Sequence, residues 1–126
     1  MDKISKNKFM SNLSQLQYKV TQEGATEPPF SHKGFEKDAK VFVCVCCGSK
    51  LFRIENKFES GSGWPSFSSP YSSEVVTEHS DESYGMIRTE VKCRKCNAHL
   101  GHVFEDGPEP TGLRYCINGV AIDGKK

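Results

Sequence analysis

The sequence predicts a mainly β protein built from antiparallel strands. Three observations support this class: many short segments rich in β-branched and aromatic residues, a single early helical segment, and no alternation of strands with helices. The chain has 126 residues, which is enough for one domain with a hydrophobic core. We expect that domain to span residues 6–124.

The first predicted element is a helix over residues 4–18. Met10, Leu13 and Leu16 lie on one helical stripe, and no proline or glycine interrupts the segment. The stretch GATEPPF at 24–30 cannot continue the helix, because two prolines remove backbone donors and bias the residues before them towards extended geometry.

The remaining elements are predicted strands and two loops. The segment GSGWP at 61–65 is a glycine-rich loop, and DGPEPTG at 106–112 is a turn-rich connection. The strands are predicted from β-branched and aromatic content and from alternation at 40–46, 51–52, 74–77, 84–92, 99–104 and 113–122.

Four of the six cysteines form two C-x-x-C pairs, Cys44 with Cys47 and Cys93 with Cys96. Two such pairs far apart in sequence are typical of one tetrahedral zinc ion with four thiolate ligands and no open position, so we expect one structural zinc per chain. Two disulfides or free buried thiols are the alternatives. Cys46 lies between two proposed ligands, and a pairing of Cys44 with Cys46 is a less usual possibility.

The charge and hydropathy of the chain exclude some classes of function. Lysine plus arginine number 17 and aspartate plus glutamate 16, and this near balance argues against nucleic-acid binding through bulk charge. No apolar run approaches the roughly 18 residues that a membrane span needs, and the first residues show no signal-peptide pattern. We therefore expect a cytoplasmic protein with no nucleic-acid or membrane partner.

The remaining cysteine, Cys116, is a candidate nucleophile. Alternation along the predicted strand places it on a polar face with Arg114 and Asn118, whereas Leu113, Tyr115 and Ile117 take the opposite, apolar face. A neighbouring cation lowers the pKa of a thiol and increases its thiolate fraction. The alternative is an inert buried thiol, which is common for cysteine.

The sequence pattern allows more than one role for several other residues. His99 and His102 fit zinc ligation, core packing or acid catalysis, and a bulge at Gly101 would bring both to one face of the strand. Asp106 would either orient His102 or serve as a turn residue. Trp64, the single tryptophan, is either one wall of an apolar pocket or a core anchor.

Five segments together resemble the B-type methionine-R-sulfoxide reductases. They span nearly the whole chain in the family's order: GATEPPF at 24–30, C-x-x-C at 44–47 with LF at 51–52, KFESGSGWPSF at 57–67, C-x-x-C-x-x-HLGHVFEDGP at 93–108 and PTGLRYCIN at 110–118. The resemblance implies two antiparallel sheets in a tent-like arrangement, short N-terminal helices and a structural zinc.

The resemblance also implies a reaction, the reduction of methionine-R-sulfoxide, free or in proteins, to methionine. Cys116 would attack the sulfoxide sulfur, and His102, with His99 close by, would protonate the leaving oxygen. Trp64 and Phe104 would bind the substrate. The positioning of groups and the tuning of charge would fall to Arg114, Asn118 and Asp106.

One position departs from a common form of this family. Many members carry a resolving cysteine where this chain has Ser62, so the usual internal disulfide cannot form. The resemblance then implies that thioredoxin, glutaredoxin or a small thiol reduces the Cys116 sulfenic acid directly, in an enzyme we expect to be monomeric. Two other classes of function are a zinc-bound binding module and a zinc-stabilised chaperone-like protein. A binding module would call for a basic patch with interleaved aromatic residues, which a net charge of +1 does not support. A chaperone-like protein would have no use for Cys116, Trp64 and the two histidines together.

Overall fold

The computed structural model describes residues 13–28, 34–35, 38–58, 60–82 and 85–125, and every structural statement below refers to these. They form one α-helix and two antiparallel sheets, so the predicted mainly β class is confirmed. Within this part of the chain, no helix has the length and apolar character that crossing a bilayer requires.

Helix α1 runs from Gln15–Glu23. It begins at a capping box, in which the Ser14 side chain accepts a hydrogen bond from the Gln17 N–H and the Gln17 side chain accepts one from the Ser14 N–H. It ends at Gly24, whose φ of 71° is left-handed and favours glycine. These two caps set the bounds of the helix.

The predicted helix over 4–18 is therefore wrong in its bounds, and its residues 4–12, including Met10, lie outside the described residues. Leu16 was expected on the buried stripe, but it is 39% exposed, and Val20 in the following turn is buried instead. Leu13 does pack against the core, just before the helix begins.

The smaller sheet has three strands in the order β2–β1–β9. All neighbours in it are antiparallel, and its strands are β1 (Val41–Cys44), β2 (Lys50–Arg53) and β9 (Ile122–Lys125). A short 3₁₀ turn at Ile54–Asn56 leads from this sheet into the larger one.

The larger sheet has six strands in the order β3–β4–β8–β7–β6–β5, again with antiparallel neighbours. Its strands are β3 (Lys57–Phe58), β4 (Ser66–Phe67), β5 (Val76–Asp81), β6 (Arg88–Cys93), β7 (His99–Phe104) and β8 (Arg114–Ile117). Strand β7 has the predicted bounds. β5 is longer than predicted, and β6 begins later.

The predicted strand over 113–122 is wrong, because the chain leaves the larger sheet in the middle of that segment. The backbone N–H and the side-chain amide of Asn118 both donate to the Leu100 carbonyl, at 2.9 and 3.0 Å, and a 3₁₀ turn follows at Gly119–Ala121. The chain then pairs with β1 as β9. Val120, Ala121 and Ile122 are again apolar, so composition alone did not show the change of sheet.

An aromatic cluster joins the two sheets. Phe42 and Phe52 of the smaller sheet contact Phe67 of the larger one, with ring centroids 5.3 and 4.4 Å apart. All three rings are fully buried, and Tyr115 on β8 packs beside Phe52. Burial of such rings stabilises the fold by about 1.5–3 kcal/mol each, and it fixes the strand that carries Cys116.

Candidate active site and metal centre

The two C-x-x-C segments fold into turns of the same geometry. In each, the N–H of the residue after the second cysteine donates to the carbonyl of the first, Gly48 to Cys44 at 2.8 Å and Asn97 to Cys93 at 2.7 Å. Gly48 and Asn97 both have positive φ, 77° and 65°, which glycine and asparagine tolerate best. Each turn therefore directs two sulfurs to one point.

The four sulfurs of these turns converge on a common centre. The Sγ atoms of Cys44, Cys47, Cys93 and Cys96 all lie within 4.8 Å of one another, and two of the pairs are 3.5 and 3.6 Å apart. Tetrahedral Zn–S bonds of about 2.3 Å imply sulfur separations of roughly 3.8 Å. The four cysteines fit a metal site.

This centre joins the two sheets. The first turn connects β1 to β2 and the second connects β6 to β7, so an ion here would cross-link the two sheets. Cys46 is not among the four clustered cysteines. Its sulfur is fully buried and accepts a hydrogen bond from the Gln22 side chain at 3.3 Å.

Cys116 lies on β8 and opens into a cavity of about 310 Å³. The cavity is lined mainly by polar and aromatic side chains: Thr26, Ser62, Trp64, Arg88, Gly101, His102, Phe104, Arg114, Cys116 and Asn118. The predicted alternation of β8 is present, since Tyr115 and Ile117 are buried on the other face. The cavity thus brings together the polar face of β8, the end of β7 and the Trp64 loop.

The electrostatic environment of Cys116 differs from the expectation. Burial raises the pKa of the Cys116 thiol above its usual value, although the Ser62 hydroxyl and the Arg114 guanidinium oppose that rise. The sequence had suggested a net decrease, because the nearby cation is visible in the sequence and the burial is not. The resting thiol is therefore protonated at neutral pH.

The two histidines lie side by side, each paired with a carboxylate. His102 Nε2 is 2.7 Å from Asp81, and His99 Nδ1 is 2.6 Å from Glu90. Their ring centroids are 5.6 Å apart. Burial lowers the pKa of His99, against the opposing effect of Glu90, so the His99 ring is neutral at neutral pH. Of the two histidines, only His102 lines the cavity.

A register shift explains why the histidines share a face. Val91 on β6 faces Gly101 and Lys92 faces His99, which leaves Leu100 as an extra residue in β7. The predicted bulge is present, centred next to Gly101. Position 101 also has no room for a side chain, because a Cβ there would lie 2.0 Å from the Cys116 carbonyl oxygen. Glycine therefore allows β7 and β8 to approach closely behind the thiol.

Asp106 does not orient His102, and that expectation is wrong. Asp106 forms a two-pronged ion pair with Arg114, at 2.8 and 3.2 Å, while Asp81 pairs with His102. The Arg114 guanidinium also stacks over the Phe104 ring, 4.5 Å from its centroid. Asp106 thus holds a cation at the cavity wall, and its own pKa is lowered by that hydrogen-bonded partner.

Trp64 is partly exposed and forms a wall of the cavity rather than a core anchor. Its indole N–H donates to the Glu27 carbonyl at 2.9 Å. Sequence reasoning missed Glu27, Asp81 and Thr26 as neighbours of the site. No local pattern marks them, although Thr26 and Glu27 lie within the GATEPPF segment.

Together these features define a cysteine-centred redox protein whose two sheets meet at a cluster of four cysteines. Residues 13–126 match the SelR domain, and the chain belongs to this family. It is 53% identical to the peptide methionine sulfoxide reductase MsrB of Pseudomonas fluorescens, over 98% of this chain and 96% of the relative. It is 51% identical to the protein of that name from Hahella chejuensis, over 97% of this chain and 90% of that relative. The protein of that name from Thioalkalivibrio sulfidiphilus is 49% identical, over 97% and 90%.

Proposed function

We propose that this protein reduces the R epimer of methionine sulfoxide, free or in proteins, to methionine, and so repairs oxidised proteins. The observation that carries this proposal is the Cys116 thiol, half-buried at a cavity that also holds Trp64 and His102. Family membership supports the same reaction. Turnover of the separate sulfoxide enantiomers with dithiothreitol tests it, and reduction of the R form alone is expected.

In the proposed reaction the Cys116 sulfur attacks the sulfoxide sulfur. The S–O bond of the sulfoxide breaks as its oxygen passes to Cys116 as a hydroxyl, and the transient bond between the two sulfurs breaks with release of the thioether. Cys116 thereby becomes a sulfenic acid, and the sulfoxide is reduced by two electrons. Since oxygen leaves only when protonated, an acid must lie near it. Trp64 supplies an apolar wall for the S-methyl group, and Phe104 with its stacked Arg114 closes another side.

His102 is the proposed acid, and Asp81 is its partner. An Asp81 carboxylate oxygen 2.7 Å from His102 Nε2 fixes the orientation of the ring, as hydrogen-bonded partners do for histidine in other sites. The His99 ring packs edge-on against the His102 ring and would restrict its orientation. Asn118 is almost fully buried, so we assign it the positioning of neighbouring groups.

Replacement of His102 by alanine should slow the reduction step more than it weakens substrate binding. Loss of a general acid typically costs on the order of 10²–10⁴ in rate. Single-turnover kinetics against substrate concentration separate the two effects. His79→Ala is the matched control, because His79 is exposed on β5, and this variant should turn over substrate at the wild-type rate. If His99→Ala abolishes the step and His102→Ala does not, the acid is His99.

The proposed metal is zinc, held by Cys44, Cys47, Cys93 and Cys96. Four thiolates leave no open position on the ion, so its contribution is to the stability of the fold. We further propose a monomer, because the side chains proposed for the reaction all come from one chain. A cytoplasmic location agrees with six unpaired cysteines, because disulfides are rare in reducing compartments.

The proposed reductant is thioredoxin, glutaredoxin or a small thiol acting directly on the sulfenic acid. Ser62 Oγ lies 3.9 Å from the Cys116 sulfur, at the position where many family members carry the resolving cysteine. Cys46 is fully buried beside the metal-binding turn, so reaching Cys116 would require that turn to open.

One turnover without reductant should leave Cys116 as a sulfenic acid, because Ser62 cannot form a disulfide. Mass spectrometry with a dimedone-type probe should find the adduct on Cys116, and thiol counting should show the loss of one thiol rather than two. The Ser62→Cys variant should instead lose two thiols and form a disulfide between residue 62 and Cys116. The Ser72→Cys variant, changed at an exposed position, should lose one thiol as wild type does. A Cys46–Cys116 disulfide in the oxidised enzyme would contradict this scheme.

A further inference from the structure

Glu27 is a fully buried carboxyl group that the reaction above does not use. It lies in residues 24–28, which follow α1 without regular secondary structure. The preceding residue, Thr26, lines the cavity that contains Cys116. This segment is therefore one wall of the substrate cavity.

Three hydrogen bonds tie Glu27 to three separate parts of the site. Its N–H donates to the Asn118 side-chain oxygen at 2.9 Å, and its carbonyl accepts from the Trp64 indole at 2.9 Å. Its carboxylate Oε1 accepts from the Val120 N–H, also at 2.9 Å. The first two bonds are made by the backbone of Glu27, so they depend on where that backbone is held.

The carboxylate is the anchor that holds this backbone. Val120 lies in the 3₁₀ turn directly after β8, so the bond to its N–H fixes Glu27 against the strand that carries Cys116. The N–H and the carbonyl of Glu27 are then held where they can bond the side chains of Asn118 and Trp64, both of which line the cavity. Removing the carboxylate would leave both partners attached to a segment with no side-chain tether.

The second carboxylate oxygen makes this residue unusual. Glu27 Oε2 is buried and has no hydrogen-bond partner among the described residues. Burying a carboxylate oxygen without a partner opposes folding, so packing alone does not account for glutamate here.

We propose that Glu27 is a positioning residue of the reduction site. Its carboxylate anchors the 24–28 segment to the turn after β8, and this anchor holds Trp64 and Asn118 in place around Cys116. The assignment rests on the proposed sulfoxide reduction for its kinetic consequence, but its geometric consequence can be measured without any turnover.

Trp64 is the only tryptophan in the chain, so its fluorescence reports the cavity wall directly. Four variants are compared: Glu27→Ala removes the anchor, Glu27→Asp shortens it by one methylene, Glu27→Gln keeps an acceptor for the Val120 N–H, and exposed Glu74→Ala is the control. For each, the emission maximum of Trp64, its acrylamide quenching, kcat, KM, bound metal and Tm are measured.

We expect Glu27→Ala and Glu27→Asp to shift the emission to longer wavelength, increase quenching and lower kcat/KM on the order of 10- to 100-fold, mainly through KM, at unchanged metal content. The kcat/KM of Glu27→Gln should stay within about threefold of the wild-type value, because glutamine keeps an acceptor for the Val120 N–H. If the alanine variant does not fold, the comparison of aspartate with glutamine decides.

The proposal is overturned if aspartate and glutamine variants both match wild type in emission, quenching and KM, or if only Tm falls. A wild-type protein with no sulfoxide turnover would remove the proposed function instead. In that case a shifted Trp64 emission in Glu27→Asp, absent in Glu27→Gln, still supports the anchor.

Discussion

Cys116→Ser should abolish methionine sulfoxide reduction while leaving the fold and the metal content intact. A hydroxyl is a far weaker nucleophile towards sulfur than a thiolate, and Cys116 is the only cysteine lining the cavity. We expect the rate to fall by on the order of 10⁴-fold or more, as loss of a covalent nucleophile does in other enzymes. Initial rates with the R sulfoxide and dithiothreitol measure this.

The control for this variant is Cys46→Ser, which changes a cysteine that does not line the cavity. It should retain near wild-type turnover with either thioredoxin or dithiothreitol. Serine is nearly isosteric with cysteine, so Cys116→Ser should melt at the wild-type temperature. Residual activity well above the uncatalysed background in a well-folded Cys116→Ser protein would mean that another thiol is the nucleophile.

Removal of the metal should unfold the protein or strongly destabilise it. The four sulfurs join hairpins from different sheets, so without an ion the sheets lose a cross-link and four buried thiols lose their ligand bonds. Structural zinc sites contribute apparent free energies of about 10–16 kcal/mol, which equals or exceeds the roughly 5–15 kcal/mol of a typical domain. Circular dichroism and thermal melts after chelation measure the effect.

Two variants in the same turn sharpen this test. Cys44→Ser removes a proposed ligand, and Cys46→Ser changes its neighbour, which is outside the cluster. Elemental analysis should find about one zinc per chain in wild type and Cys46→Ser, and much less in Cys44→Ser, which should also lose cooperative unfolding. Full activity in a demonstrably metal-free protein would exclude a structural role for the ion.

Features that depend on residues close together in the chain were predictable from the sequence. The paired C-x-x-C spacing indicated the four-thiolate cluster, because each turn is a local structure completed by the residue after its second cysteine. Strict alternation placed Arg114 and Cys116 on one face of β8, because the period of a strand is a property of its backbone. The antiparallel class followed from many short strands, and the family motifs indicated Trp64, His102 and Cys116 as residues of one site.

The tertiary structure alone decided which groups meet across the sheets. Asp81 on β5 pairs with His102 on β7, whereas Asp106, closer in sequence to His102, pairs with Arg114. Glu27 reaches Val120 across 93 positions of the chain. The direction of the Cys116 pKa shift also required the fold, since a neighbouring cation is visible in sequence and the burial that outweighs it is not. Sequence patterns report local backbone geometry, and the partners and solvent exposure of each group arise only when distant segments pack together.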